Sequence, residues 1–259
     1  MNARGSGAAW ARSPWLLFAL IIVLSIPFDV LGAVSGKVLP AHLPIAALQV
    51  VCPLIAALVL VGWADGRAGV RRLLARLVDL PRRGPSRTRW YLVAVATIPL
   101  ITLVAYGIDL VAHRPVPTAG VSLFAAVGAI ALFLILAACE EIAWSGCAID
   151  PLQDRWGAKP ASLLVGLVWA AIHVVPWLQL HDPAWVFWQF VFTVAARVVM
   201  VRIYNAAGRS VLAVILFHAM INFCYAVTET AYDPMIVGLL TTAVAIVVLV
   251  RPTGRTSLP

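Results

Sequence analysis

Two adjacent carboxylates, Glu140 and Glu141, stand near the end of an apolar run that covers residues 121–138. An acidic side chain in mid-bilayer costs about 2.5–3.5 kcal/mol on insertion scales, so the pair costs about 5–7 kcal/mol when it is neither paired nor neutralised. A helix end at the cytosolic interface would explain the pair without any chemistry. His173, His218 and Asn222 are predicted at matching depths on later runs, and they favour a catalytic centre inside the membrane.

The depths follow from counting residues inward from the predicted cytosolic helix ends. At 1.5 Å per residue, Glu140, His173 and His218 lie about 13, 18 and 11 Å deep. His218 and Asn222 are four residues apart and therefore point the same way on one helix. Pro176 follows His173, and its missing N–H can free a backbone carbonyl and kink the helix where a cavity needs room. A lone intramembrane histidine often only joins two helices, but two at the depth of a Glu pair indicate chemistry.

These residue types fit two forms of peptide hydrolysis. A carboxylate beside a histidine can activate water, and imidazole N–H and asparagine amide groups can stabilise the oxyanion. Alternatively, His173, His218 and Glu140 could hold Zn²⁺ and a bound water. The sequence supplies the residues for either scheme and does not choose between them.

Composition indicates an integral membrane protein. The 259 residues are 63% apolar and 12% charged, with a mean hydropathy of +0.97, whereas soluble domains are about half apolar. The net charge of +8 falls in short segments between apolar runs, which is typical of loops that set membrane orientation, so a nucleic-acid partner is not predicted. The four cysteines form no C-x-x-C pair and are interpreted as small apolar side chains.

The predicted fold is all-α, a polytopic membrane protein with about eight transmembrane helices in one bundle. Each run approaches or exceeds the roughly 17 residues that a spanning helix needs, and the runs are 15–34, 44–63, 90–111, 121–148, 161–178, 185–204, 211–227 and 235–250. A basic start before an apolar run is also typical of a signal peptide, but the length of the first run and the lack of a clear cleavage site favour a retained helix.

The Arg-rich segment 65–89 fixes the predicted orientation. It is interpreted as cytosolic, either as a solvated loop or with residues 71–78 lying as an amphipathic helix on anionic lipid. Alternation then puts both termini in the cytosol of a protein integral to the cell membrane, with only Lys37 and Arg114 of the 19 basic residues outside. We divide the chain into N-terminal helices (1–120), a core (121–227) and a last helix with a basic tail (228–259).

Three segments carry a family resemblance: EEIAWSG at 140–146, WAAIH at 169–173 and HAMIN at 218–222. They resemble the three ordered motifs of the CAAX protease and bacteriocin-processing (CPBP, or Abi) family, which includes the type II CAAX prenyl endopeptidases. The match covers about 121–227. The resemblance implies a membrane hydrolase, a CAAX-protease-like endopeptidase of peptide or protein substrates in the bilayer, with Zn²⁺ and a metalloprotease mechanism allowed but not required.

The resemblance also implies roles for the site residues. Glu140 would be the general base beside Glu141, His173 would help to position or activate the water, and His218 with Asn222 would stabilise the oxyanion. The expected enzyme opens toward the cytosol and cleaves a hydrophobic or membrane-tethered peptide near that face.

One position departs from the family pattern. The family usually has arginine five residues after the first glutamate, where this chain has Ser145. That arginine would lie at i+4 from Glu141 and pair with it. Glu141 must therefore be protonated, face the interface or take a cation from elsewhere, and we favour Arg197 or Arg202 on the sixth helix. The substitution also leaves open an inactive scaffold or bacteriocin-immunity protein.

Other classes fit the sequence less well. A transporter would use the acids as proton sites, but no convincing repeat supports one. The segment AWSG at 143–146 is one residue away from the rhomboid G-x-S-G, yet a Glu pair has no role in a Ser–His mechanism. The segment YGID at 106–109 lacks the second glycine of the aspartyl-protease G-x-G-D motif.

Overall fold

The computed structural model describes residues 11–36, 38–39, 43–80, 85–114, 122–228 and 231–250. In these residues the chain forms nine α-helices, which are α1 (Pro14–Ser35), α2 (Cys52–Ala75), α3 (Pro85–Val111), α4 (Leu123–Ala143), α5 (Ile149–Trp156), α6 (Ala158–Leu178), α7 (Pro183–Ala206), α8 (Val211–Thr228) and α9 (Pro234–Val250). The shorter elements are an antiparallel pair of two-residue strands, β1 (Val38–Leu39) and β2 (Leu43–Pro44), 3₁₀ turns at Ile45–Val51 and Arg76–Val78, and a π turn at Trp144–Ala148.

The predicted all-α membrane bundle is confirmed. Seven helical segments of the described chain are long and apolar enough to cross a bilayer, and α9 is a shorter apolar helix of 17 residues. Together they make the eight apolar helices expected from the sequence. Lys37 and both chain ends, on which the predicted orientation partly depends, lie outside the described residues.

The fourth span is longer than predicted. Helix α4 continues through the π turn into α5, so the span runs from Leu123 to Trp156 and has 34 residues. Glu140 is then about 24 Å from the Trp156 end and about 26 Å from the Leu123 end at 1.5 Å per residue. The sequence predicts that this helix ends at residue 148, whereas the described helix continues to Trp156.

The Arg-rich segment begins as a continuation of α2. Gly66 interrupts that helix with φ 62° and ψ −161°, a backbone conformation that glycine adopts without a Cβ clash. The helix then resumes, and Leu73 is buried at 6% exposure. Within residues 71–78 only Leu73 is buried and the backbone is helical, so the stretch is not the solvated loop, and its lying on lipid stays a prediction.

A polar layer ties this segment to the π turn. Arg76 Nη1 donates to the Gly146 carbonyl at 2.7 Å, and Arg76 also donates to the Tyr204 hydroxyl. Tyr204 in turn donates to Asp150 Oδ2 at 2.9 Å. Next to these groups, the Gln153 and Asn205 amides exchange hydrogen bonds of 2.9 and 3.2 Å. The layer closes the bundle at the end where α7 finishes and α8 begins.

Helix α8 receives its N-terminal cap from the Arg-rich segment. The Asp79 carboxylate accepts hydrogen bonds from the Val211 and Leu212 N–H groups at 3.0 and 3.1 Å and from the Ser210 hydroxyl at 2.7 Å. Ser210 Oγ accepts the Ala213 N–H at 3.1 Å. The first backbone donors of α8 are therefore satisfied, which fixes the helix that carries His218 and Asn222.

We expect Asp79→Ala to lower the free energy of unfolding by about 0.5–2 kcal/mol, the usual cost of losing a helix cap. Asp79→Asn should cost less, because one amide oxygen can still accept a backbone N–H. Thermal unfolding of the three purified proteins in one detergent measures the difference. Equal midpoints for Asp79→Ala and the wild type would contradict a capping role.

Candidate active site

One cavity of about 250 Å³ contains most of the polar side chains singled out from the sequence. Four of the five predicted site residues line it: Glu140, His173, His218 and Asn222. They come from helices α4, α6 and α8. The fifth, Glu141, lies behind the cavity wall and is fully buried at 0% exposure. The chain thus brings residues from three separate motifs into one space.

Two tryptophans hold Glu140. Its Oε2 accepts the Trp169 Nε1–H at 2.7 Å and the Trp144 Nε1–H at 3.4 Å. Glu140 is buried, with 5% of the residue exposed, so these two indole groups set the orientation of its carboxylate. Its other oxygen, Oε1, lies 3.8 Å from His218 Nε2 and is not used by either indole.

Glu141 is the acceptor of a buried ion pair with Arg197. The Arg197 Nη1 and Nη2 groups donate to Glu141 Oε2 and Oε1 at 2.7 and 2.9 Å, the two-pronged geometry that makes such pairs strong. Ser145 donates a further hydrogen bond of 2.5 Å to Oε2. Arg197 also lies over the Trp169 ring, with 4.1 Å from Cζ to the centroid. The cation expected to replace the missing motif arginine is thus supplied by α7.

A glycine on α6 allows Arg197 to come this close. A Cβ at Gly166 would lie 3.2 Å from Arg197 Cβ and 3.2 Å from Val194 Cα, tighter than ordinary side-chain packing. Helices α6 and α7 therefore approach each other closely at the level of the ion pair. Arg202, the other cation considered from the sequence, is exposed and lies 5.2 Å over the Trp90 ring.

His218 lies between the two carboxylates. Its Nδ1 is 2.9 Å from Glu141 Oε1, and an ionised carboxylate only accepts, so Nδ1 carries a hydrogen. Nε2 consequently faces Glu140 Oε1 and the cavity. Asn222 is one helical turn further along α8 and lines the same cavity, and among the described residues its amide has no hydrogen-bond partner.

His173 is oriented by its own helix. Its Nδ1 is 2.7 Å from the Trp169 carbonyl, which can only accept, so the neutral ring keeps its lone pair on Nε2. Trp177 stacks on the imidazole with 5.3 Å between centroids. The carbonyl that Pro176 frees is that of Ile172, as the missing i→i−4 hydrogen bond requires.

Gln49, from the 3₁₀ turn before α2, takes up that free carbonyl. Its Nε2 donates to the Ile172 oxygen at 3.0 Å. Sequence reasoning did not single out Gln49, although a glutamine inside an apolar run is itself a signal. It also missed the indole hydrogen bonds to Glu140, because residue spacing does not show which way an indole N–H points.

The cavity extends toward the end of the bundle opposite the polar layer. Beyond the site residues it is lined by Leu180 after α6, Trp185 in the first turn of α7 and Ala226 in the last turn of α8. The opening of the site toward the cytosol, expected from the sequence, stays a prediction.

Glu140, His173 and His218 are the side chains that the sequence allows as ligands of a possible Zn²⁺. Among the described residues, no three His, Cys, Asp or Glu side chains form a group able to hold a metal ion. In both rings another bond occupies Nδ1, to Glu141 in His218 and to the Trp169 carbonyl in His173, so only the Nε2 atoms could act as ligands. Zinc ligands must converge to about 2.0–2.2 Å from one point, and this donor set does not.

Comparison with known proteins gives one family match. Residues 122–224 match the family described as "Type II CAAX prenyl endopeptidase Rce1-like". The resemblance predicted from the three motifs is therefore confirmed, and the matched segment runs from the start of α4 into the last turns of α8. A search of the curated proteins finds no match.

Proposed function

We propose, from the premise that residues 122–224 form a Rce1-like CAAX endopeptidase domain, that this protein hydrolyses a membrane-tethered peptide with water activated by Glu140. The single observation that supports this most is the shared cavity, in which Glu140, His173, His218 and Asn222 meet at mid-bundle. A peptide would reach them from lipid or from the end of the bundle opposite the Arg-rich segment, where the cavity continues.

Glu140 is the base in this scheme because one of its oxygens is available. The indole groups occupy Oε2, and Oε1 takes a proton from water as the water oxygen attacks the peptide carbonyl carbon. The same oxygen then returns that proton to the leaving nitrogen as the C–N bond breaks. His173 Nε2, which keeps its lone pair, accepts the second water hydrogen and positions the water.

His218 and Asn222 face the developing oxyanion. His218 Nδ1–H is held by Glu141, so Nε2 donates to the oxyanion when the imidazole is doubly protonated. The Asn222 amide supplies the second donor, and preorganised donors of this kind contribute strongly to acyl transfer.

The buried ion pair argues against an inactive scaffold. Loss of the motif arginine at Ser145 would leave Glu141 uncompensated, but Arg197 takes its place with two hydrogen bonds. Glu141 can therefore still orient His218. The substitution at Ser145 alone therefore gives no reason to expect an inactive protein.

The proposal is tested with purified protein in liposomes and reporter peptides of one sequence carrying a prenyl anchor, a transmembrane anchor or no anchor. We expect cleavage of an anchored peptide by the wild type, and at least about a hundredfold slower cleavage by His173→Ala. Thermal unfolding shows whether the variant is folded. Failure to cleave any reporter would favour the scaffold function, whereas an unchanged cleavage rate in folded His173→Ala would exclude His173 from the mechanism.

Chelation gives a separate expected result. Because the described residues do not converge on a metal position, dialysis against a strong zinc chelator should leave the cleavage rate unchanged. Rates before chelation, after chelation and after adding Zn²⁺ back are compared on one preparation. A loss of activity that only Zn²⁺ restores would show that the protein rearranges to bind a metal.

A further inference from the structure

Gln49 carries an unused hydrogen-bond acceptor at the wall of the cavity. The side chain is 4% exposed and lines the same cavity as Glu140 and His173. Its Nε2 donates to the Ile172 carbonyl, whereas its Oε1 is buried and has no hydrogen-bond partner among the described residues. A buried acceptor without a donor is unfavourable, so this oxygen is suited to a ligand that brings an N–H.

The orientation of the amide follows from its surroundings. A backbone carbonyl accepts and never donates, so the group that faces Ile172 must be the NH₂ end of Gln49. That carbonyl is available because Pro176 has no N–H to bond it. Pro176 therefore selects which end of Gln49 points away from α6, and the acceptor end is left for the cavity.

We propose that Gln49 Oε1 accepts a backbone N–H of the bound peptide, next to the bond that is cleaved. This inference rests on the proposed function. Ile172 directly precedes His173 in the chain, so a peptide group at Gln49 lies beside the imidazole that positions the water. Much of the surrounding wall is apolar and aromatic, including Phe133, Trp177 and Phe192, and a peptide N–H enclosed there needs an acceptor from the protein.

The position of Gln49 in the chain has a consequence for specificity. It precedes the matched segment 122–224 and belongs to the N-terminal helices. The catalytic side chains thus come from the matched segment, and this contact with the substrate backbone comes from the N-terminal part. Gln49 is a substrate-binding residue in this scheme, with no part in proton transfer.

Backbone methylation of the substrate tests the contact. The lipid-anchored reporter that the wild type cleaves fastest is made with each peptide nitrogen near the cleaved bond methylated in turn. We expect one position at which methylation lowers kcat/KM at least tenfold for the wild type. In Gln49→Met that position should lose most of its sensitivity, and the unmethylated reporter should show a higher KM with a smaller change in kcat. Combining the substrate change with the Gln49 change is a double-mutant cycle, which isolates the contact between Gln49 and that peptide nitrogen.

Gln179→Met is the matched control. Gln179 also has an unpaired buried Oε1, and its Nε2 donates to the Asp29 carbonyl at 3.1 Å, but it does not belong to the cavity lining. Gln179→Met should show the same loss of kcat/KM at each methylated position as the wild type. Since each profile is a ratio of rates within one variant, partial unfolding of Gln49→Met does not alter it.

The outcomes separate the two proposals. If the wild type cleaves the reporter and Gln49→Met keeps the wild-type methylation profile, the Gln49 contact is wrong and the proposed function stands. If the wild type cleaves no reporter, the function fails and this inference fails with it. A sensitive position that disappears in Gln49→Met and persists in Gln179→Met supports the contact.

Discussion

Arg197→Met is expected to lower the free energy of unfolding by about 3–5 kcal/mol, the usual cost of removing one partner of a buried ion pair. Both sides of the pair are closed to solvent, with side-chain exposures of 1% for Arg197 and 0% for Glu141. The substitution leaves a carboxylate buried beside His218, which also disturbs the orientation of the imidazole. We therefore expect peptide cleavage to be lost together with stability, as measured by unfolding in detergent and by reporter cleavage.

Arg202→Met is the control on the same helix. Arg202 is exposed, and its guanidinium makes a cation–π contact with the Trp90 ring. Its removal should therefore lower the free energy of unfolding by about 1 kcal/mol or less. Equal stability of Arg197→Met and Arg202→Met would show that the buried pair does not support the fold.

Restoring the family arginine provides a second test of the same ion pair. Ser145 lies one helical turn after Glu141 and already donates to it. Adding Ser145→Arg to Arg197→Ala should recover part of the stability and of the cleavage rate, because a guanidinium from the π turn then replaces one from α7. No recovery relative to Arg197→Ala alone would mean that the two positions are not equivalent sources of the cation.

Glu140→Gln is expected to lower kcat by about 10²–10⁴-fold, the usual contribution of a general base, while the protein stays folded. Glutamine keeps an oxygen that can accept the Trp169 N–H, so the packing around position 140 is retained. The measurement is the single-turnover cleavage rate together with the thermal midpoint. Cleavage by Glu140→Gln at the wild-type rate would exclude Glu140 as the base.

Glu141→Gln is the comparison one residue further along. It leaves the Arg197 charge without a counter-ion, so the thermal midpoint should fall along with activity. Adjacent glutamates thus differ in what they lose: Glu140→Gln loses rate alone, whereas Glu141→Gln loses stability as well. If both variants were fully stable, Glu141 would not be the structural member of the pair.

The sequence predicts the bundle and the members of the site well, and for physical reasons. A spanning helix needs a long apolar run, and these runs are visible without any tertiary information. Polar residues inside such runs are costly, which is why Glu140, His173, His218 and Asn222 stand out and why they are found around one cavity. The need for a cation at Glu141 follows from the same cost, and Arg197 supplies it.

The sequence does not predict how these elements are joined. The break at Gly66 and the π turn before α5 are local backbone choices that tertiary contacts stabilise, and hydrophobic periodicity carries no signal for them. The contribution of Gln49 is equally hidden, because it depends on a carbonyl on α6 that is far away in the chain.

The π turn at Trp144–Ala148 fits one extra residue into a single helical turn, which sets the register of everything after it. Taking out any one residue there would let an ordinary α-helix form and would swing α5 by about 100° about its axis. Asp150 and Gln153 would then turn away from Tyr204 and Asn205, their present partners. A sequence alignment that is wrong by one residue within the π turn would still match Glu140 and Glu141. It would shift Asp150 and Gln153, whose hydrogen bonds close that end of the bundle.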